Sequence, residues 1–93
     1  MKTAFFFDDV FKEHSNGRFH PERPERMDAI REALQRDSLW DALDHVAFEA
    51  ANENDLEMCH TREHIEYIRD LAQRGGGSID SDTGVAPMSY EVA

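Results

Sequence analysis

The sequence has one cysteine, Cys59, which excludes an internal disulfide framework and suits a reducing compartment. It is poor in positive charge. Ten Lys and Arg stand against twenty Asp and Glu, a net charge of −10. Nucleic acid and anionic membrane both need a concentrated basic surface, so neither is expected as a direct partner. No apolar run approaches the length of a bilayer span. The start, MKTAFFFDDV, runs into acids at once and shows no cleavage site, so no secretory signal is expected. A Gly-rich phosphate loop, a Gly-x-Ser-x-Gly elbow and internal repeats are all missing. These absences describe a cytoplasmic protein whose local motifs carry no mechanism of their own.

What is present fits one small unit. Ninety-three residues make one domain at most. A chain this short buries only about 60–65% of its unfolded surface, so its core is thin. Residues 3–7, TAFFF, form an uninterrupted apolar run ended by Asp8 and Asp9. Such a run predicts a strand buried on both faces, as in a parallel sheet. From Asp8 to Arg23 no period is visible, and Asn16-Gly17 marks a turn. Loops of that length are commonly functional.

A helix is expected from Pro24 to Arg36, with Met27, Ile30 and Leu34 on one face. Pro21 and Pro24 fix φ near −65° and make the entry to this helix rigid, with Pro24 suited to its first position. A second short helix is read over 38–43 with Ser38 as N-cap. HVAFEA, residues 45–50, reads as a second strand. Asn54-x-x-Glu57 resembles a capping box. Thr61 caps a helix to Gln73 that buries Ile65, Ile68, Leu71 and Ala72, and Gly75-Gly76-Gly77 ends it. Residues 78–86 read as a loop, and Pro87 opens a helix that is cut off at Ala93. The order strand, helix, strand, helix predicts an α/β layer with parallel strands. Two strands are too few for a stable parallel sheet, so the unit reads as an incomplete domain.

Candidate ligands are sparse. His60 and His64 are four apart, a spacing able to place two imidazoles on one metal. The adjacent Cys59 points about 100° away on a helix. A catalytic zinc takes three protein ligands, and these do not make such a set. His60 and His64 are therefore read as helix-start and surface residues, and Cys59 as a small buried hydrophobe. Asp80 and Asp82 lack the later Gly and Glu of a calcium loop and read as a turn sequence.

Three stretches in order add a further reading. The first is His20-Pro21-Glu22-Arg23-Pro24-Glu25-Arg26-Met27, after an N-terminal strand. The second is His60-Thr61-Arg62-Glu63-His64-Ile65-Glu66-Tyr67-Ile68. The third is Asp80-Ser81-Asp82-Thr83, continuing to Pro87-x-Ser89-Tyr90-x-x-Ala93. Together they resemble the amino-terminal part of the histone deacetylase and acetylpolyamine amidohydrolase superfamily, its prokaryotic and class II-like branches most. The resemblance spans nearly the whole chain. It implies part of an arginase-like α/β fold in which zinc activates water against the N-acetyl amide of lysine or a polyamine. By position it puts His20 and Pro21 on the rim loop of the acyl-lysine tunnel. It sets Arg26 along the internal channel and Asp82 where a rim residue bonds the substrate backbone or amide. The family's zinc ligands, His pair and catalytic Tyr have no counterpart in residues 1–93. The chain is thus expected to be an N-terminal fragment, with no catalytic or metal-binding residues and no cofactor of its own. A small stand-alone binding module and a structural oligomer are the alternatives. Leftover apolar faces, Phe5 to Phe7 among them, predict a homo-oligomer.

Overall fold

The computed structural model describes residues 2–93. Its radius of gyration is 15.5 Å and its extents are 42 × 33 × 17 Å. A compact domain of this length would have a radius near 12 Å. The chain is a flattened slab, and this is why so little of it is buried. Only Ile65, Ala72 and Val85 form a buried apolar core among the described residues.

Strand β1, Ala4–Phe5, pairs in parallel with β2, Asp44–His45, in the register Ala4↔Asp44 and Phe5↔His45. The parallel pairing is as expected, but both strands are shorter than the apolar runs that predicted them. Each has a single neighbour, so the ladder stops soon after Asp44 N–H reaches Thr3 O (2.9 Å) and Val46 N–H reaches Phe5 O (3.0 Å). Nor is the run buried on both faces. Phe5 and Phe7 meet Trp40 edge-on at centroid distances of 5.6 and 6.0 Å. On the other side Phe6 reaches Phe48 but stays 54% exposed.

Between the strands the aperiodic segment contains a 3₁₀ helix, Asp9–Glu13, capped by the Asp8 carboxylate accepting from Val10 N–H. Helix α1, Glu25–Arg36, comes next, with Pro24 in helical geometry (φ −57°, ψ −32°) at its cap. Ser38 closes this helix instead of opening the next. It lies at φ 58°, its N–H bonds Gln35 O (3.2 Å), and Leu39 N–H bonds Leu34 O (2.9 Å). This paired arrangement normally uses glycine at the left-handed position. The expected second helix is reduced to a single 3₁₀ turn, Trp40–Ala42.

Helix α2, Glu53–Leu56, has its capping box two residues before the expected one, with Asn52 and Asp55 as partners. Asp55 offers the same reciprocal carboxylate as a Glu would. Helix α3, Arg62–Gln73, is capped by Thr61 Oγ1, which accepts from His64 N–H (3.2 Å). It ends at Gly75 (φ 103°), with Gly75 N–H on Ala72 O and Gly76 N–H on Leu71 O.

Residues 77–85 are not a loop. Strands β3, Gly77–Asp80, and β4, Thr83–Val85, form an antiparallel hairpin with an irregularity between Ser78 and Asp80. Its residues are mostly polar and exposed, so no hydrophobic alternation announced it. Helix α4, Ser89–Val92, closes the described chain, and among the described residues no helix is long and apolar enough to cross a membrane.

Candidate active-site rim

The charged loop ahead of α1 is stitched to the β3–β4 hairpin and α4 by three side-chain contacts. His14 Nδ1 lies 2.7 Å from the Oγ of buried Ser89, which also accepts from Ala86 N–H at 2.7 Å. Asn16 Oδ1 accepts from Gly84 N–H at 2.6 Å. The backbones approach closely there, since a Cβ on Gly84 would sit 2.9 Å from Asn16 O. His20 Nε2 lies 2.8 Å from Asp82 Oδ1.

Local geometry sets the protonation pattern at the last of these. Glu22 N–H donates to His20 Nδ1 (2.9 Å), which makes Nδ1 an acceptor and Nε2–H the donor to Asp82. The Asp82 side chain is 87% exposed against 21% for His20, so the imidazole steers a carboxylate that faces solvent. The turn beneath is held by Asp82 N–H donating to Asp80 Oδ1 at 2.8 Å, and that bond keeps the Asp80 carboxyl below its ordinary pKa. This confirms 80–83 as a turn sequence.

Two of the residues assigned by resemblance, His20 and Asp82, are therefore brought into contact across 62 positions. Pro21 is exposed beside them on the same loop. Arg26 does reach a carboxylate, but on the surface. It pairs with Glu22 one turn back, and the two side chains are 53% and 49% exposed. In this chain Arg26 thus lies on the outer side of the first turn of α1 and does not point inward.

His60 and His64 have ring centroids 5.2 Å apart and both are exposed. Cys59 is exposed as well, which corrects the buried reading, because the short turn after α2 leaves it outside the α3 stripe. Among the described residues no three His, Cys, Asp or Glu side chains converge as a metal would require. A catalytic zinc takes three protein ligands, so the residues present do not fit one by themselves.

His14, Asn16 and Ser89 were not identified from sequence. The Asn16-Gly17 turn signal was visible, but no local spacing links it to Gly84. A separate polar node joins three helices: Arg69 of α3 pairs with Glu53 of α2, and the Tyr90 hydroxyl of α4 donates to the same carboxylate oxygen at 3.1 Å. Burial pushes the Tyr90 phenol above its usual pKa, with Glu53 adding to the effect.

The Histone deacetylase domain family model matches residues 20–93. The chain is 28% identical to the histone deacetylase-like amidohydrolase of Pseudomonas aeruginosa over 109 residues, covering 99% of this chain and 29% of that protein. It is 36% identical to a probable deacetylase of Methanothermobacter thermautotrophicus over 74 residues, covering 80% of this chain and 22% of that protein. The crystal structure of the HDA15 HD domain superposes with a TM-score of 0.86 at 27% identity, covering 97% of this chain and 27% of that one. The chain thus spans less than a third of the length of these relatives. The fold is a partial deacetylase-like α/β layer, and the chain belongs to the histone deacetylase family.

Proposed function

We propose that residues 1–93 form part of the substrate-facing rim of a zinc-dependent deacetylase that hydrolyses the N-acetyl amide of lysine or of a polyamine. The observation that carries this reading is the His20–Asp82 bond, which joins the two rim residues across the chain. Its chemistry suits the role. One Asp82 oxygen is held by His20 Nε2–H, leaving the other free to accept an N–H from substrate. Pro21 and Pro24 restrict the loop that carries His20, and the Asn16 and His14 contacts brace it from behind. The chain's contribution is to bind and orient, and Arg26 reaches a channel only if its pairing with Glu22 is exchanged for another in the longer protein.

An apolar cleft of about 840 Å³ runs beside Phe6, Phe11, Phe48, Met88 and Val92. A second copy of the chain, related by a two-fold axis, would cover it. The exposed thiol of Cys59 suits the reducing cytoplasm.

The test is a chimera in which residues 1–93 replace the matching segment of the Pseudomonas relative. Acetate release is measured from an acetyl-lysine peptide and an acetylated polyamine. The reading expects activity that falls at least tenfold on Asp82→Ala with zinc content unchanged, in line with loss of a substrate-orienting bond. An active chimera indifferent to Asp82 would refute it.

A further inference from the structure

Phe19 is 100% exposed and sits at φ 61°. A left-handed backbone under a bulky aromatic is strained, and a fully exposed ring regains none of that cost by burial. Its neighbours are equally unspent. Lys12, Arg26, Arg31, Arg36, Arg62 and Arg69 each have a carboxylate partner. Lys2, Arg18, Arg23 and Arg74 have no such partner among the described residues, although the chain carries twice as many acids as bases, and of these four only Arg18 and Arg23 stand together beside Phe19. Both line one cleft of about 650 Å³ with Phe19, and Glu25 is the one acid on its wall. The next residue along the loop from Phe19 is His20, which bonds the rim carboxylate of Asp82.

We infer that this cleft is a specificity subsite for peptide substrates, in which Arg18 and Arg23 take an acidic side chain close to the acetylated lysine while the Phe19 ring packs on the neighbouring peptide. This deepens the deacetylase reading and rests on it for the acetyl-lysine. A guanidinium pair favours a carboxylate and repels the free ammonium groups of an acetylated polyamine, so the site selects peptide over polyamine. An aromatic side chain has only two torsions to order on contact, which makes Phe19 an efficient anchor.

The experiment is a titration of the 93-residue chain, monitored by amide shifts, with three peptides: acetyl-lysine flanked by Asp and Glu, acetyl-lysine flanked by Gly and Ser, and the acidic peptide without the acetyl group. The acidic acetylated peptide is expected to bind about 3–10-fold more tightly than the neutral one, as exposed ion pairs allow, with shifts at Arg18, Phe19 and Arg23. Arg18→Ala/Arg23→Ala should bring that ratio to about one. Phe19→Gly should weaken binding while raising Tm, because glycine accepts φ 61° without strain, and this separates a contact from a structural role. Equal binding of both acetylated peptides overturns the subsite and leaves the deacetylase reading standing. Arginine-dependent binding of the unacetylated acidic peptide at full strength upholds the subsite, and the deacetylase reading then stands or falls on acetate release by the chimera, because the isolated rim carries none of the zinc ligands. No binding of any peptide at millimolar concentration by a folded chain overturns the subsite too.

Discussion

Replacing Ser89 by Ala tests whether the rim loop is braced from behind. Ser89 is 6% exposed, and its Oγ sits 2.7 Å from His14 Nδ1 and 2.7 Å from Ala86 N. Because Oγ accepts from Ala86 N–H, its own proton is free for His14 Nδ1, and truncation removes both bonds at once. Leaving a donor or acceptor unsatisfied inside a fold costs about 1–3 kcal/mol. Taking about 2 kcal/mol, a domain of this size loses roughly 8–16 °C in Tm. The change is read by thermal melting with circular dichroism, and amide exchange of residues 14–20 gives the local report. Those amides should exchange faster than in the parent, while the α3 core should change only through the global loss. A double-mutant cycle with His14→Ala isolates the pair and should show coupling of about 0.5–1.5 kcal/mol. A Tm within about 2 °C of the parent, with unchanged exchange in the loop, would show that Ser89 does not hold it.

Gly75 and Gly76 make a contrasting pair. Both have φ near +100°, but a Cβ on Gly76 would lie 2.3 Å from Val85 O while one on Gly75 meets nothing within 4 Å. Gly75→Ala should cost only about 1–2 kcal/mol from the backbone, whereas Gly76→Ala should abolish the cooperative melt by displacing the hairpin. The depressed Asp80 carboxyl, held by Asp82 N–H, contributes stability that is present above its ordinary pKa of 3.8 and is lost as pH falls through its folded value. A carboxyl-carbon titration should find its midpoint below 3.8, and a midpoint at or above that value would exclude the turn bond. After dialysis against a mild chelator, the isolated chain should hold less than stoichiometric zinc and release no acetate from an acetyl-lysine peptide. One tightly held zinc per chain, with turnover lost on His60→Ala or His64→Ala, would overturn that. Sedimentation at high micromolar concentration should show a dimer, and a folded monomer there would remove the proposed association.

What the sequence alone determined is local. The spacing of Met27, Ile30 and Leu34, and of Ile65, Ile68 and Ala72, specified α1 and α3, because the helical period and its caps depend on residues three or four apart. Thr61 and Gly75 marked the two ends of α3 for the same reason. The motif around His20-Pro21 and the Asp80-Ser81-Asp82-Thr83 turn pointed to the family, which the match over residues 20–93 bears out. Where several local solutions competed, context chose: Asn52 over Asn54 for the α2 cap, and Ser38 as the end of α1 over the start of another helix. The β3–β4 hairpin was not legible because polar exposed strands carry no hydrophobic period. The tertiary structure decided which functional residues meet. His20 with Asp82, Asn16 with Gly84 and His14 with Ser89 lie 62, 68 and 75 positions apart. No spacing rule reaches that far. Such contacts arise only when α1 and α3 carry their loops to the same edge of the slab, where one side chain at the right distance completes the hydrogen bonding of another.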